Sequence, residues 1–191
     1  MNSNLVFVGV DPGQQGAIAF VTSDRSLLST HMLPMLDKRV DIWVLKNIID
    51  EARQDRIVGL CMIEQAIVLP KQGSVSGFSM GANYGRLMTS IEFFGLPFEE
   101  IRPAVWKKRF FGSVKYEKNA IKQVAVMRAR HLFPELAPKL LLSKDGLSEA
   151  LLIAETARRQ FYGERHAPDS NASGVSCTNK DEREPVTDEE E

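Results

Sequence analysis

Residues 5–13 read LVFVGVDPG and are the most informative part of the chain for its fold. Its first six residues are apolar and rich in β-branched valine, which favours one buried strand over a helix. Pro12 offers no backbone donor and Gly13 permits a sharp turn, so the strand ends at Asp11. We therefore expect the Asp11 carboxylate at the rim of a sheet, where open α/β folds bind their ligands.

The patterns on either side of this stretch extend it into a sheet. Strands are predicted over residues 17–21 and 27–33, and the short links indicate an antiparallel meander. The remaining predicted elements are a helix over 40–52, a strand over 57–63, a helix over 76–95, a strand over 98–101, and helices over 118–132 and 146–161. This order predicts an α/β fold with a mixed five-stranded sheet, in which three antiparallel strands are followed by helix-linked parallel strands and helices flank both faces.

Size and composition favour a single domain in a reducing compartment. A chain of 191 residues accommodates one well-packed α/β domain, which we place over residues 1–162. No apolar stretch approaches the roughly 18 residues that span a membrane, and the N-terminus lacks the features of a signal peptide. Cys61 lies in an apolar run and Cys177 in a polar segment, so no disulfide is expected. We therefore expect a cytoplasmic location with no membrane partner.

The C-terminal segment, residues 163–191, is acidic. It carries nine acidic and three basic side chains, which leaves 21 basic and 16 acidic groups in the preceding residues. The segment is polar and almost free of apolar side chains, so we predict that it is disordered. A basic body with an acidic tail is typical of proteins that bind polyanions. A solvated tail that improves solubility explains the segment itself at least as well.

Acidic side chains stand at two strand ends and on the last helix. Asp11 and Glu64 each end a buried-looking strand, and the usual crossover makes these strands parallel neighbours whose ends share one edge. Asp145 and Glu149 are four residues apart, so both project from one helical face. Such a pair is repulsive on an ordinary helix, and a cation between the two carboxylates would explain it.

Four converging carboxylates suit divalent-metal catalysis. Oxygen ligands without His or Cys suit Mg²⁺ or Mn²⁺, and the three histidines lack the spacing of zinc ligands. Two such ions, roughly 4 Å apart, stabilise the attacking and leaving oxygens of a phosphoryl displacement. Taken singly, Asp11 has a simpler explanation as a turn former, Glu64 as a solvated strand end and Asp145 as a helix N-cap.

A basic stretch with interleaved aromatic residues follows the last predicted strand. Its basic members are Lys107, Lys108, Arg109, Lys115, Lys118 and Lys122. Its aromatic members are Trp106, Phe110, Phe111 and Tyr116. Such a segment can neutralise phosphates and stack bases, which predicts a wall that binds DNA or RNA. The alternative is a solvated amphipathic surface whose aromatic side chains belong to the core.

Seven short segments, in order along the chain, carry a resemblance to a known family. They are residues 9–13 (GVDPG), 63–65 (IEQ), 79–85 (SMGANYG), 103–108 (PAVWKK), 117–118 (EK), 132–134 (LFP) and 145–151 (DGLSEAL). With them the chain resembles the RuvC-type Holliday-junction resolvases, most closely their short phage-like branch, within the RNase H-like nucleases. The resemblance covers about residues 5–160.

The resemblance implies a homodimeric, Mg²⁺-dependent endonuclease that binds four-way DNA junctions and makes paired nicks in DNA recombination or repair. By position, the metal ligands would be Asp11, Glu64, Asp145 and Glu149. It also implies that Lys107 and Lys118 lie near the scissile phosphate, with Lys118 assisting catalysis, and that Tyr84 contacts DNA. The glycine-interrupted helix after residue 76 would form the dimer and junction-facing surface. The expected setting is the cytoplasm of a bacterial or phage-infected cell.

Two departures from the family pattern bear on mechanism. Ile67 stands where bacterial resolvases often carry an aromatic wedge. The final acidic pair is spaced by four and ends in Glu149, whereas many bacterial members have two Asp spaced by three. Three alternatives differ in function: a junction-binding protein without catalysis, an RNase H-like nuclease with another substrate, and an actin-like ATPase. The last needs a second lobe and a second phosphate loop, for which 191 residues leave no room.

Overall fold

The computed structural model describes residues 4–13, 15–67, 73–112 and 117–163, with residues 118 and 119 described by their backbone alone. The predicted disordered tail therefore lies outside the described residues, apart from Gly163. None of the helices in the described ranges combines the length and apolarity that a membrane span requires.

Five strands in the described part of the chain form one mixed sheet. They are β1 (Leu5–Asp11), β2 (Ala17–Thr22), β3 (Leu27–Met32), β6 (Ile57–Glu64) and β7 (Phe98–Ile101), in the spatial order β3-β2-β1-β6-β7. The pairs β1–β2 and β2–β3 are antiparallel, whereas β1–β6 and β6–β7 are parallel. The predicted fold class is thus confirmed.

Helices cover both faces of this sheet. They are α1 (Ile42–Arg53), α2 (Ser74–Phe93), α3 (Pro103–Phe111), α4 (Lys118–Leu132) and α5 (Asp145–Phe161). Because side chains alternate along β1, Val6 and Val8 pack with Leu45 of α1, whereas Phe7 packs with Leu151 of α5. The sheet therefore separates a core under α1 and α2 from a core under α3, α4 and α5.

Two features of the fold were not predicted from the sequence. A small hairpin of β4 (Met35–Leu36) and β5 (Arg39–Val40) precedes α1. At its turn Asp37 has φ 48° and Lys38 has φ 63°, values at which Gly or Asn is the usual residue. Because the turn contains neither, its sequence did not indicate a hairpin. The basic stretch after Pro103 is a helix, α3, because proline is well tolerated at a first helical position.

Helix α5 lies directly on β1 because residue 9 is glycine. A Cβ at Gly9 would lie 2.1 Å from the carbonyl oxygen of Ala150 and 2.2 Å from the backbone nitrogen of Ala154. Both neighbours are backbone atoms of a helix, which cannot move aside as a flexible side chain does. Gly9 thus sets the distance between the strand that carries Asp11 and the helix that carries Asp145 and Glu149.

Gly9→Ala is expected to lower the free energy of unfolding by about 3 kcal/mol, because the added methyl group forces α5 away from β1. Urea unfolding followed by circular dichroism measures the change. Gly81→Ala in α2 is the matched control, since a Cβ there meets no described atom within 4 Å. It is expected to be neutral or slightly stabilising because alanine favours the helix. Equal stability of the two variants would contradict this account of the packing.

Candidate active site

Asp11 ends β1 at the edge of the sheet that it shares with Glu64. In the parallel pair β1–β6, Val10 is the partner of Ile63, and the two acidic residues follow these partners directly. The backbone N–H of Gly13 donates to Asp11 Oδ1 at 3.0 Å. The Asp11 carboxylate therefore stabilises its own turn, as expected of a turn former. It also faces the start of α5.

Gly146 lets the first turn of α5 reach the Asp11 turn. A Cβ at Gly146 would lie 2.0 Å from the carbonyl oxygen of Gln15 and 3.1 Å from Asp11 Oδ2. A larger residue would push the helix start away from the strand end. Gly146 is thus a site residue that was not predicted from the sequence. Its position between Asp145 and the apolar run could have indicated its role.

Asp11, Asp145 and Glu149 line one cavity of about 410 Å³. The other residues around this cavity are Gly13, Gln15, Lys107, Ile121 and Lys122. The structure therefore brings together three of the four predicted metal ligands with two of the lysines predicted to bind DNA. These residues come from β1, α3, α4 and α5, and their convergence depends on the packing of those helices.

Glu64 stands beside this cavity. Its Oε2 accepts a hydrogen bond of 2.6 Å from the indole Nε1 of Trp106. Burial raises the pKa of Glu64, the charge of Lys107 lowers it, and the charge of Glu149 raises it. The Glu64 carboxylate is thus oriented by Trp106 and coupled electrostatically to the cavity residues.

Asp11 is the most strongly perturbed carboxyl group of the site. Burial and, second to it, repulsion by Glu149 are the main causes that raise the pKa of Asp11 to about 7. The hydrogen bond from Gly13 lowers the pKa, Glu64 raises it and Lys107 lowers it again. A positive charge brought next to Asp11 would favour its ionised form, which is the response expected of a metal ligand.

Two lysines carry positive charge into the cavity. The Lys107 Nζ atom lies 3.4 Å from Glu149 Oε1, and the Lys122 Nζ atom lies 2.6 Å from Asp145 Oδ2. A hydrogen bond to Asp145 and the charge of that carboxylate raise the pKa of Lys122. Among the described residues no side chain caps α5, so the interpretation of Asp145 as a helix N-cap is wrong.

The donor set fits a hard divalent cation in kind, because it consists of carboxylate oxygens, and the charges of Glu149 and Glu64 raise the pKa of Asp11. Within the ranges that the structure describes, no three Asp, Glu, His or Cys side chains are arranged to hold one ion. The ion pairs with Lys107 and Lys122 engage two of the acidic side chains. Metal binding by the four carboxylates therefore stays a prediction.

The aromatic residues of the basic stretch belong to the core. Trp106, Phe110 and Phe111 are buried, and the Trp106 and Phe111 rings meet edge to face at 5.8 Å. The prediction that these three rings stack on bases is wrong, because α3 turns them toward α4 and α5. Tyr116 lies outside the described residues.

The basic residues of the stretch divide by exposure. Lys108 is exposed, whereas Arg109 is half-buried, and burial together with the charge of Arg159 lowers its pKa. Lys115 lies outside the described residues, and the side chain of Lys118 is not described. DNA binding by these four residues stays a prediction.

Tyr84 and Ile67 lie on the neighbouring surface. The Tyr84 hydroxyl donates to Glu100 Oε2 at 2.7 Å, and burial together with Glu100 raises its pKa. Ile67 is half-exposed at the end of a described range, directly before residues 68–72. Roles for these residues in binding or opening DNA stay predictions.

Asn83 holds the β4–β5 hairpin against α2, a role that the sequence did not reveal. Its Nδ2 donates to the Lys38 carbonyl at 2.9 Å, and its Oδ1 accepts from the Val40 N–H at 3.2 Å. Arg86 Nε adds a 2.7 Å hydrogen bond to the Val40 carbonyl. The hairpin, α2 and the turn at Gly13 together enclose a second cavity of about 700 Å³.

Comparison with known proteins finds similar solved structures but no similar sequence. No protein-family model and no curated protein matches the sequence. Among solved structures, Thermus thermophilus RuvC in complex with a Holliday junction substrate matches with a TM-score of 0.55 and 16% identity, over 84% of this chain and 95% of that chain. A second Thermus thermophilus RuvC structure matches with a TM-score of 0.56 and 15% identity, over 83% and 95%.

The chain has a RuvC-type fold. The expected RNase H-like architecture is thereby confirmed. At 15–16% identity the likeness is one of fold, so placement in the phage-like branch stays a prediction. The candidate site residues lie on β1, β6, α3, α4 and α5 of this fold.

Proposed function

We propose that this protein is a structure-selective endonuclease that resolves four-way DNA junctions by paired, metal-dependent nicks. The observation that carries the proposal is the gathering of Asp11, Asp145 and Glu149 with two lysines around one cavity of a RuvC-type fold. One matched RuvC is in complex with a Holliday junction, which makes branched DNA the first substrate to test here. The activity would serve DNA recombination, repair or the processing of branched DNA.

In this proposal Asp11, Glu64, Asp145 and Glu149 hold two Mg²⁺ ions, with Mn²⁺ able to substitute. When bound, such ions supply the charge that activates water and stabilises the leaving 3′ oxygen of a phosphodiester, leaving a 5′-phosphate. Asp11 must be ionised to take part, and neighbouring positive charge favours that state. The Trp106 hydrogen bond keeps Glu64 in one orientation at the cavity margin.

The basic residues of α3 and α4 form the proposed DNA-binding wall. They are Lys107, Lys108, Arg109, Lys115, Lys118 and Lys122. Lysines and arginines neutralise phosphates without reading sequence, which suits an enzyme that recognises branching. Lys107 already reaches the cavity, where its ammonium lies near Glu149, and we assign it and Lys118 to the scissile phosphate.

A homodimer formed through α2 belongs to the same proposal. Helix α2 exposes three large apolar side chains: Val75 is 82%, Phe78 80% and Phe93 85% exposed. Exposed apolar side chains of this size on one helix offer a surface that a second copy of the chain can cover. A second copy of the chain would present a second cavity for the second of two paired nicks.

Nicking of a synthetic four-way junction tests the function. The full chain is incubated with the junction and with three-way, flap and linear duplex DNA of the same arms, in Mg²⁺ or in chelator. We expect two symmetric nicks in the junction with Mg²⁺ and none with chelator. Binding without nicking would favour the non-catalytic alternative, and equal cutting of linear duplex would favour a nuclease with another substrate. ATP turnover without DNA would favour the actin-like ATPase.

A further inference from the structure

Lys122 stands out in the cavity because it contacts an acidic residue more closely than Lys107 does. Its ammonium nitrogen lies 2.6 Å from Asp145 Oδ2, whereas that of Lys107 lies 3.4 Å from Glu149 Oε1. Among the described residues no ion pair involves Asp11. The shorter of the two ion pairs in the cavity is thus the one at the start of α5, between Lys122 and Asp145.

We infer that Lys122 is a built-in counter-ion that competes with divalent cations for the Asp145 carboxylate and so weakens the metal affinity of the site. The inference rests on the proposed metal site and concerns a residue that the family resemblance does not assign to metal binding. It makes Lys122 a positioning residue, which acts on the reaction through Asp145.

The exposure of the two partners supports competition. The Asp145 side chain is 14% exposed, so its charge is poorly solvated and requires a nearby cation. The Lys122 side chain is 48% exposed on α4, so its ammonium group can return to water at little cost. The pair is thus stable when formed and can be exchanged for another cation.

The position of the pair supports the same conclusion. Lys122 and Asp145 line the cavity together with Asp11 and Glu149, so a cation that binds there meets the Lys122 ammonium directly. A carboxylate oxygen already bonded to an ammonium group offers less charge to a second cation, and the two cations repel each other. Removing the ammonium group should therefore strengthen divalent-metal binding.

The test is a titration of the full chain with Mn²⁺, without DNA, in which electron paramagnetic resonance reports free Mn²⁺. Lys122→Met removes the charge and keeps an unbranched side chain. We expect its Mn²⁺ dissociation constant to be about three- to fivefold lower than that of the wild-type chain. Lys122→Arg retains the cation and should restore the wild-type value.

Lys46→Met is the matched control, because Lys46 pairs with Asp50 within α1 on the opposite face of the sheet. It removes the same charge and the same type of ion pair, and its Mn²⁺ affinity should equal that of the wild type. Thermal unfolding without added metal verifies that each variant is folded. An unchanged or weaker affinity in Lys122→Met would overturn the inference, and so would the absence of Mn²⁺ binding by both the wild-type chain and that variant.

The titration separates this inference from the proposed function. Tighter Mn²⁺ binding by Lys122→Met, combined with failure of the wild-type chain to nick any branched DNA, would support the counter-ion and contradict the nuclease. Junction nicking by the wild-type chain, combined with an Mn²⁺ affinity that Lys122→Met does not raise, would do the reverse.

Discussion

Asp11→Asn is expected to reduce nicking of a four-way junction by at least about 10³-fold while leaving junction binding nearly unchanged. The substitution keeps the shape of the side chain and its hydrogen bond from the Gly13 N–H, but it removes the charge that a divalent cation requires. DNA binding is assigned to basic residues of α3 and α4, which the substitution does not alter. Single-turnover cleavage and gel mobility shift measure the two quantities separately.

Asp55→Asn is the matched control for this variant. Asp55 is exposed and precedes β6, at the opposite end of the sheet from Asp11, so its substitution should leave both nicking and binding at wild-type values. Wild-type nicking by Asp11→Asn would remove the cavity from consideration as the active site. Loss of binding along with nicking would indicate that the substitution disturbs the fold.

The second large effect is a pH-dependent stability that originates at Asp11. Its folded-state pKa of about 7 lies above the ordinary value of 3.8, so between these pH values the folded chain retains a proton that the unfolded chain has lost. Stability from this group is therefore fully present below about pH 4 and is lost as the pH rises toward 7. The loss amounts to as much as about 4 kcal/mol in the absence of divalent cations.

In chelator at pH 8, Asp11→Asn is therefore expected to unfold at a temperature about 10 °C higher than the wild-type chain. The difference should shrink toward zero near pH 4, where Asp11 is protonated. Calorimetric scans across this pH range, with Asp55→Asn as the control, test the expectation. Mg²⁺ should raise the unfolding temperature of the wild-type chain and have little effect on Asp11→Asn. A pH-independent difference between the two chains would show that the Asp11 charge is not the cause.

Features that depend on neighbouring residues were predicted more accurately than features that depend on residues distant in the sequence. The first strand was predicted from the apolar run that opens residues 5–13 and from its Pro-Gly stop, and β1 occupies Leu5–Asp11. The helix predicted over 40–52 begins instead at Ile42, because the Asp41 side chain accepts hydrogen bonds from the Trp43 and Val44 N–H groups. The hairpin at Asp37 and Lys38 was not predicted, because these two residues are not the types that usually occupy a turn with positive φ.

For the candidate site, the order of strands and the places of the acidic residues were readable along the chain. Asp11 and Glu64 end strands, and Asp145 and Glu149 share a helical face, so local patterns determined which groups could meet. The aromatic residues illustrate the limit, because nothing in the alternation of Lys and Phe distinguishes a core face from a base-stacking face. Burial of Trp106 and Phe110 was settled when α3 packed against α5.

Local sequence patterns were sufficient to predict the sheet, the strand-end carboxylates and the acidic pair of the last helix, because hydrophobic periodicity and turn chemistry act over a few residues. The pairing of cations with carboxylates, in contrast, depends on the packing of the helices: Lys122 pairs with Asp145, and Lys107 pairs with Glu149. These partners are separated by 20 residues or more in the chain, and their distances depend on how closely α3, α4 and α5 approach β1. That approach depends on backbone contacts at Gly9 and Gly146, which no local pattern reports.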